Sequence, residues 1–411
     1  MRRTAVCILA IAVCARLVTS LLQISYGIHP ITGLPDVNSW GDFYYYYVAQ
    51  LKSLSQGLLP YRDFALSYTP LFIYTIYPFY AIWGRVGAAV PIVLSDAGTA
   101  VLLYMIVRRA AGEEVAVIVG LGYSLSPLAL VEEGYLWLGS QPMTFLLLLS
   151  ILLLRNEKRV LAWSMLAIAV MIKQEAIWVF PAFLLLADRK DKIRTLIGAG
   201  TFSLLILLLS MPFLILTPYN YLNSVTYSIF SHATLNQLPP GPQEGTGVFT
   251  SNVLHTVLIT YSNPILIYAN NFVDWVSAIA VLPLYALLLP VLFEFRSKDS
   301  FKELVSAYSV LGLLLVFYLL GHPVFRYYLL PVWVLVLASS RSRRTSVLSV
   351  VLCAASVLTP AGIFQVMLVL VTMLVIIAFL DSTKGNGIVD YTSGLTLGRS
   401  SRCSALTASL E

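Results

Sequence analysis

Carboxylates and cations occur in this chain at several places where their neighbours are almost entirely apolar or aromatic. A carboxylate can accept a proton as a general base, whereas lysine and arginine suit phosphate, lysine as a point charge and arginine through a planar fork. Ionisable groups in or beside a membrane are costly and indicate a functional site. The members of this set are Asp42, Arg62, Asp63, Glu132, Glu133, Lys173, His322 and Arg326.

All members except His322 also have a purely structural explanation, which the sequence leaves open. Asp42 could cap the helix that follows it, and the neighbours Arg62 and Asp63 could form a loop ion pair. Lys173 could extend from a helix end toward the membrane surface. Glu132 and Glu133 could be solvated loop residues, and Arg326 an anchor at the interface.

Arg16 and Asp96 form a separate case, because both lie within apolar stretches long enough to cross a membrane. An ionisable side chain at such a position needs an internal partner. The sequence assigns a partner to neither, and we expect both residues to be structural.

The composition identifies the elements that must position these side chains. Of 411 residues, 58% are hydrophobic and 11% are charged, which is typical of helices that face lipid and exceeds what a soluble core requires. The net charge of +6 is expected to lie in cytoplasmic loops and indicates no nucleic-acid partner. The four cysteines are scattered and suggest neither a disulfide framework nor a metal site.

The basic clusters determine how the chain crosses the membrane. If every cluster faces the cytoplasm, only one of the two apolar runs between the first outside loop and Arg108 can cross. We expect residues 87–107 to cross, and residues 44–56 and 68–83 to lie on the outer interface. The fold class predicted is an all-α polytopic membrane protein of about twelve transmembrane helices, with two outer-interface helices and cytoplasmic termini.

The predicted spans divide the chain into four parts. Residues 1–216 form the transmembrane core, whose first outside loop, 25–86, carries the interface helices. Within this core, further spans are expected near residues 115–131, 142–154, 160–172, 176–187 and 195–216. Residues 217–273 form a long outside loop rich in Asn, Pro, Gly and Tyr, either a cover for an acceptor or a plain connector. Residues 274–380 form the C-terminal transmembrane helices. The Ser-, Thr- and Gly-rich residues 381–411 are expected to be a disordered cytoplasmic tail.

An ordered set of short motifs resembles the GT-C superfamily, multispan glycosyltransferases that take sugar from a polyprenyl phosphate. The nearest resemblance is to the first mannosyltransferase of glycosylphosphatidylinositol-anchor synthesis and to prokaryotic polyprenol-phosphate-mannose-dependent mannosyltransferases. The motifs are Ala15-Arg16-Leu17, Asp42, Pro60-Tyr61, Tyr68-Thr69-Pro70-Leu71, Asp96, Gly139-Ser140-Gln141, Lys173 with Pro181, and Arg326-Tyr327-Tyr328-Leu329-Leu330-Pro331.

The resemblance implies an enzyme that moves a hexose, mannose by family, to an acceptor at the outer face with inversion at the anomeric carbon. Asp42 would be the general base, with Asp63 as the alternative. Lys173 and Arg326 would stabilise the departing phosphate. The remaining substrate contacts would come from Tyr61, Arg62, Glu132, Glu133, Gln141 and His322.

One motif departs from the anchor-synthesis enzyme, which has Asp-x-Asp where this chain has Trp40-Gly41-Asp42. A metal bridged by paired acids is therefore not expected, although a divalent cation stays open and no cofactor is assigned. The implied partners are a polyprenyl-phosphate-linked sugar donor, a glycolipid, glycan or protein acceptor, and membrane lipid.

Three other functions compete with the glycosyltransferase interpretation. They are a transporter or flippase of lipid-linked sugars, an oligosaccharide polymerase or ligase, and an accessory scaffold. A transporter would more often show internal repeats, which this sequence lacks. The compact loops favour a multi-pass protein of a prokaryotic plasma membrane with its active site on the extracellular face.

Overall fold

A computed structural model describes residues 2–26, 41–64, 66, 68–185, 192–230, 312 and 329–358. Within these ranges the chain is helical without strands, apart from an isolated bridge between Pro60 and Phe64. Two π-helices, Gly41–Val48 and Leu130–Tyr135, and two 3₁₀-helices, Gln174–Val179 and Ser356–Leu358, accompany the α-helices. The α-helices are α1 (Arg2–Tyr26), α2 (Ala49–Ser55), α3 (Leu71–Ala111), α4 (Glu113–Ser124), α5 (Pro127–Ala129), α6 (Gln141–Arg155), α7 (Arg159–Ile172), α8 (Phe180–Leu185), α9 (Lys192–Leu216), α10 (Pro218–Phe230), α11 (Leu329–Ala338) and α12 (Arg343–Ala355).

Several of these helices are apolar enough for a membrane. Among the described residues, four stretches have the length and composition to cross it, namely Arg3–Ser25, Leu71–Ala111, Glu113–Tyr135 and Ile193–Leu216. Helices α6, α7 and α11 are apolar but shorter. The all-helical membrane class is therefore confirmed. The count of about twelve spans also rests on segments outside the described residues and stays a prediction.

The long helix α3 bends sharply at Gly84, whose φ of 61° and ψ of −147° are not helical. A positive φ of this kind is accessible to glycine at little cost. Three residues later, a Cβ atom on Gly87 would lie 2.0 Å from the carbonyl oxygen of Phe79, so the tight bend requires both glycines. The bend falls between the aromatic run 68–83 and the run 87–107 that we expect to cross. The interfacial position of the first run remains a prediction.

Three basic clusters, at residues 108–109, 155–159 and 341–344, meet at one end of the bundle. Arg109 donates a hydrogen bond to the side-chain oxygen of Asn156, and Arg343 forms an ion pair with Glu114 at 3.2 Å. Helix α6 leaves the other end of the bundle and reaches this one, and α7 returns. The ends of α4 and α7 and the start of α6 consequently lie together, opposite the basic end. Which side of the membrane each end faces stays a prediction.

Aromatic packing holds the returning helices together. The Trp163 ring of α7 lies 5.5 Å from Phe180, 5.4 Å from Phe183 and 6.0 Å from Phe202. Helix α9 can approach this tryptophan because Gly198 has no side chain. A Cβ atom at that position would lie 2.2 Å from the indole ring. Such edge-to-face contacts add about 0.5–1.5 kcal/mol per pair beyond burial.

Two segments differ from their sequence-based boundaries. The predicted outside loop 217–273 begins with the helix α10, and Asn220 on it donates a hydrogen bond to the carbonyl oxygen of Tyr61 at 2.9 Å. The predicted span 115–131 stops being regular α-helix at Ser124, because Pro127 lacks the N–H group that an uninterrupted helix needs. A turn, the short helix α5 and the second π-helix follow.

Candidate functional site

The loop of residues 136–140, which we call the hub loop, joins the second π-helix to α6. Trp137 in this loop has a φ of 55°, a backbone conformation that is strained for a bulky residue. Its indole N–H donates to the hydroxyl group of Ser20 at 3.1 Å, and Phe43 packs edge-on at 5.1 Å. The hub loop is thereby held in a single strained conformation by α1 and the first π-helix.

Gly139 brings the hub loop into close contact with aromatic residues of the first π-helix and of α3. Its N–H group donates to the hydroxyl oxygen of Tyr47 at 3.2 Å, and the Tyr47 ring lies 4.8 Å from that of Phe72. A Cβ atom on Gly139 would lie 2.4 Å from the Phe72 ring, a distance that real contacts do not reach. Only glycine fits this position without displacing the aromatic neighbours.

Lys173 lies directly beside the hub loop, at the point where α7 ends in an extended residue. Its ammonium nitrogen donates to Ser140 Oγ at 3.2 Å and lies 3.6 Å from Glu175 Oε1. The same nitrogen lies 5.5 Å above the ring of Tyr68, a cation–π geometry. With 2% of Lys173 exposed, the side chain is buried in the site and does not extend to the membrane surface.

The two π-helices carry three of the candidate acids. Asp42 lies in the first, and its backbone is one residue from Phe43, which packs on Trp137 of the hub loop. The structure describes the backbone of Asp42 and leaves its side chain undescribed. Glu132 and Glu133 lie in the second π-helix. π-Helical segments are rare and occur frequently at functional sites.

Glu132 and Glu133 are buried, with 2% and 0% exposed respectively. The interpretation as solvated loop residues is therefore wrong. Neither carboxylate oxygen of Glu133 has a hydrogen-bond partner among the described residues, although Lys173 and Arg16 lie within range of its charge. A buried carboxyl group without a partner is costly, so Glu133 requires an explanation other than stability.

Arg16 and Asp96 prove to be each other's internal partner. Arg16 Nε donates to Asp96 Oδ2 at 2.5 Å, and both side chains are fully buried. Arg16 also donates to the carbonyl oxygen of Ser124, and the hydroxyl group of Tyr123 donates to Asp96 Oδ1. The amide nitrogen of Gln141 then donates to the Tyr123 oxygen at 3.0 Å. The pair thus ties α1, α3, α4 and α6 together.

Asp63 and Arg62 form an exposed loop pair away from this cluster. Arg62 donates twice to the Asp63 carboxylate, each time at 2.9 Å, and the N–H group of Leu59 donates at 2.8 Å. The hydrogen bond from Arg62, and after it that from Leu59, holds the pKa of Asp63 below its ordinary value. Such a carboxylate is a weaker base than a free aspartate.

Tyr61 is a buried side chain with a φ of 65°. Its hydroxyl group donates to the carbonyl oxygen of Tyr68 at 2.6 Å, and its ring contacts Phe213 at 5.2 Å and Tyr221 at 5.1 Å. Burial, and then the neighbouring phenols, raise the pKa of Tyr61 well above its ordinary value. The Tyr61 phenol is therefore neutral and buried, and its hydroxyl hydrogen is already engaged in the hydrogen bond to Tyr68.

A cavity of about 280 Å³ lies near Tyr61, whose ring contacts Phe213 of the cavity lining. One wall comes from the loop before α3 and the start of that helix, and the other from α9. Its lining is apolar except for Arg62 and Thr217, and includes Leu59, Pro70, Tyr74, Pro212 and Leu216. Tyr61 in turn donates a hydrogen bond to the carbonyl oxygen of Tyr68, whose ring faces Lys173.

The structure gathers part of the predicted site and leaves part of it elsewhere. It brings Lys173 and Gln141 to the hub loop, and Glu132 and Glu133 next to it; Arg62 and Asp63 remain at the exposed loop. His322 and Arg326 lie outside the described residues. In the part of the chain that the structure describes, no three His, Cys, Asp or Glu side chains are grouped so that they could hold a metal ion.

Three residues that the sequence did not single out as site residues contact the cluster. Ser140 precedes an apolar run, a pattern typical of a helix start, but nothing in its position predicts the contact with Lys173. Tyr68 and Tyr123 belong to aromatic-rich stretches in which no spacing distinguishes a cation–π partner or a hydroxyl relay from ordinary packing.

Comparison with known proteins identifies the fold. No family model matches the chain, and no curated protein matches it in sequence. ArnT from Cupriavidus metallidurans, whose crystal structure contains bound undecaprenyl phosphate, is similar over 90% of this chain and 69% of its own, with a TM-score of 0.52 and 15% identity. At that identity the similarity shows the fold alone. The chain therefore shares its all-helical fold with ArnT, and the similarity does not decide its activity.

Proposed function

We propose that this chain is an integral membrane glycosyltransferase that moves a hexose from a polyprenyl-phosphate donor to an acceptor at the outer face. In this proposal the sugar is mannose and the reaction inverts the anomeric carbon. The supporting similarity is to ArnT, which binds undecaprenyl phosphate. The glycolipid, glycan or protein nature of the acceptor is left open.

The observation that carries the proposal is the meeting of Lys173 with the start of α6. The first peptide groups of a helix carry a partial positive charge and bind anions, phosphate in particular. Ser140 makes no capping hydrogen bond to this helix, and Pro142 is placed in its first turn. Lys173 adds a full charge at the same point, held by Ser140 Oγ at 3.2 Å. Together they favour a departing lipid phosphate.

The residues divide between attack and departure. Asp42 takes the proton of the acceptor hydroxyl group, whose oxygen attacks the anomeric carbon. The bond from that carbon to the phosphate oxygen breaks, and its electron pair leaves with the lipid phosphate near Lys173. Asp63 is the less suitable base, because its carboxylate is already bonded by Arg62 and Leu59. Arg326, outside the described residues, stays proposed as a second cation.

Sugar hydroxyl groups would be held by buried acceptors near the hub loop. Glu133 has two unpartnered carboxylate oxygens among the described residues, and Gln141 has an unpartnered amide oxygen there. Buried groups of this kind reject a ligand that lacks the matching donor. The Tyr61 hydroxyl group donates a hydrogen bond to the carbonyl oxygen of Tyr68, so toward a sugar it is left only as an acceptor. Glu132 and His322 stay proposed as further contacts.

The cavity between the loop before α3 and α9 is proposed to hold the donor's prenyl chain. Its lining is almost wholly apolar, with Arg62 at one side, and its α9 wall includes Leu216, which is 57% exposed. A chain lying there would reach the buried cluster past Tyr61 and Tyr68.

Transport of lipid-linked sugars is the second candidate, and the buried Arg16–Asp96 pair favours it, because intramembrane ion pairs are common in transporters. Sugar transfer by purified protein in lipid vesicles separates the two functions. The assay uses polyprenyl-phosphate mannose as donor, with wild type, Asp42→Asn and Asp63→Asn in parallel. Asparagine keeps the size and capping ability of aspartate but cannot act as a base.

We expect wild-type transfer that falls about a hundredfold or more in Asp42→Asn and only slightly in Asp63→Asn. The reverse order would move the base to Asp63. Donor that crosses the bilayer chemically unchanged, with no transfer in any protein, would contradict the enzyme and favour transport.

A further inference from the structure

The buried ion pair is joined to the proposed phosphate site through a chain of hydrogen bonds. From Arg16 it runs to the Asp96 carboxylate at 2.5 Å, then to the Tyr123 hydroxyl group, and on to the Gln141 amide at 3.0 Å. Every side chain in it has no exposed surface. Gln141 is the first residue of α6, and its neighbour Ser140 receives the hydrogen bond of Lys173.

Stability alone does not account for such a chain. A buried ion pair contributes little compared with well-packed apolar residues of the same volume. Its evident consequence is geometric, because the Gln141 side chain fastens the first turn of α6 to α4 through Tyr123. Gly139, on the other side of Ser140, is fastened by Tyr47.

The position of the Lys173 side chain depends on these hydrogen bonds to the start of α6. Its ammonium group stands on a flexible four-carbon stem, and it extends from an irregular residue at the end of α7. The Ser140 hydroxyl group locates it at 3.2 Å, together with the Glu175 carboxylate at 3.6 Å and the Tyr68 ring at 5.5 Å. A displacement of about 1 Å in a catalytic group can cost about a hundredfold in rate.

We propose that Tyr123, together with Asp96 and Gln141, is a positioning residue that places Lys173 against the phosphate of the lipid. The effect of this positioning on catalysis rests on the proposed function. The geometric part applies to the binding of any polyprenyl phosphate at Lys173.

The test compares Tyr123→Phe, which removes only the hydroxyl group, with Ser150→Ala. Ser150 is a matched control, since it is buried in α6, the helix that begins at Gln141. Among the described residues its hydroxyl group bonds only the carbonyl oxygen of Leu147, at 2.6 Å. We measure kcat and KM for polyprenyl-phosphate mannose, and the thermal shift caused by undecaprenyl phosphate. Lys173→Met and the double variant with Tyr123→Phe complete a cycle.

We expect Tyr123→Phe to lower kcat by about tenfold to a hundredfold with a smaller change in KM, and to reduce the thermal shift; Ser150→Ala should resemble wild type. In the Lys173→Met background the effect of Tyr123→Phe should shrink to about twofold or less. General structural damage would instead persist in full in that background. Gln141→Leu provides a second variant in case Tyr123→Phe folds poorly, with the same expectation.

The positioning role is overturned if Tyr123→Phe matches Ser150→Ala in both readouts, or if its effect is undiminished in the Lys173→Met background. A wild type that is stabilised by undecaprenyl phosphate but transfers no sugar would refute the proposed function. A weaker shift in Tyr123→Phe would still support the positioning role in that case. A wild type with neither transfer nor shift would overturn both.

Discussion

Replacing Glu133 by methionine should stabilise the protein and impair it at the same time. Both carboxylate oxygens of Glu133 lack a hydrogen-bond partner among the described residues, and none of the residue is exposed. An unsatisfied buried polar group costs about 1–3 kcal/mol. Methionine has nearly the same length and needs no partner. The free energy of unfolding should therefore rise by about 1–3 kcal/mol.

Sugar transfer should move in the opposite direction. If the carboxylate accepts hydrogen bonds from the sugar, their loss is worth about 1.5–3 kcal/mol, which corresponds to about a tenfold to hundredfold drop in kcat/KM. The assay pairs thermal unfolding in lipid with transfer from polyprenyl-phosphate mannose. Glu114→Met serves as control, because the Glu114 side chain is 69% exposed at the basic end and should change stability by less than about 0.5 kcal/mol.

A lower unfolding temperature in Glu133→Met than in wild type would refute this reasoning. It would mean that the carboxylate stabilises the fold through a partner. Higher stability with unchanged transfer would remove Glu133 from the substrate site and leave its burial unexplained.

Three further predictions address the hub loop, the exposed acid and the buried pair. Gly139→Ala should cost about 1–3 kcal/mol of stability through overpacking and lower transfer at least tenfold. Gly200→Ala, with nothing within 4 Å of its added Cβ atom, should be neutral or stabilising by up to about 1 kcal/mol. Thermal unfolding and transfer assays check both variants, and equal effects would contradict the steric argument. The pKa of Asp63 is lowered in the folded state. Its contribution to stability is therefore present above the ordinary pKa of about 3.9 and is lost as the pH falls through the lowered value. The difference in unfolding temperature between wild type and Asp63→Asn should thus vanish in strong acid, and a difference that stays constant with pH would exclude the ion pair as its source. Asp96→Ala should cost about 3–5 kcal/mol by stranding Arg16, and the double change Arg16→Met with Asp96→Leu should recover most of it; a double variant as unstable as the single one in thermal unfolding would show that the pair itself is required.

Much of the helical framework could be predicted from the sequence, because hydrophobic runs and helix-start signals are local. The run 142–154 corresponds to the helix Gln141–Arg155, and the run 160–172 to Arg159–Ile172. The glycine bend in α3 also falls between the two runs that the charge pattern separates. The helix α10 was missed, since its Asn- and Tyr-rich sequence is typical of a loop and its packing against Tyr61 is a tertiary effect.

The site was less predictable, because its contacts join residues far apart in the chain. Arg16 and Asp96 are separated by 80 positions, and no spacing rule pairs them. The burial of Glu133 depends on how α1 and the second π-helix pack. The sequence identifies these residues as acids and phosphate-binding cations. Which of them lie in contact depends on the packing around the hub loop.

Mass spectrometry of the lipid donor would test the central claim most directly. Purified wild type and Lys173→Met are incubated in vesicles with polyprenyl-phosphate mannose and candidate acceptors, and both the donor and the freed polyprenyl phosphate are quantified. We predict that wild type converts donor to polyprenyl phosphate in equal amount to the sugar gained by an acceptor, and that Lys173→Met does so at least about tenfold more slowly. Intact donor after incubation with wild type, across all sugars and acceptors offered, would contradict the account.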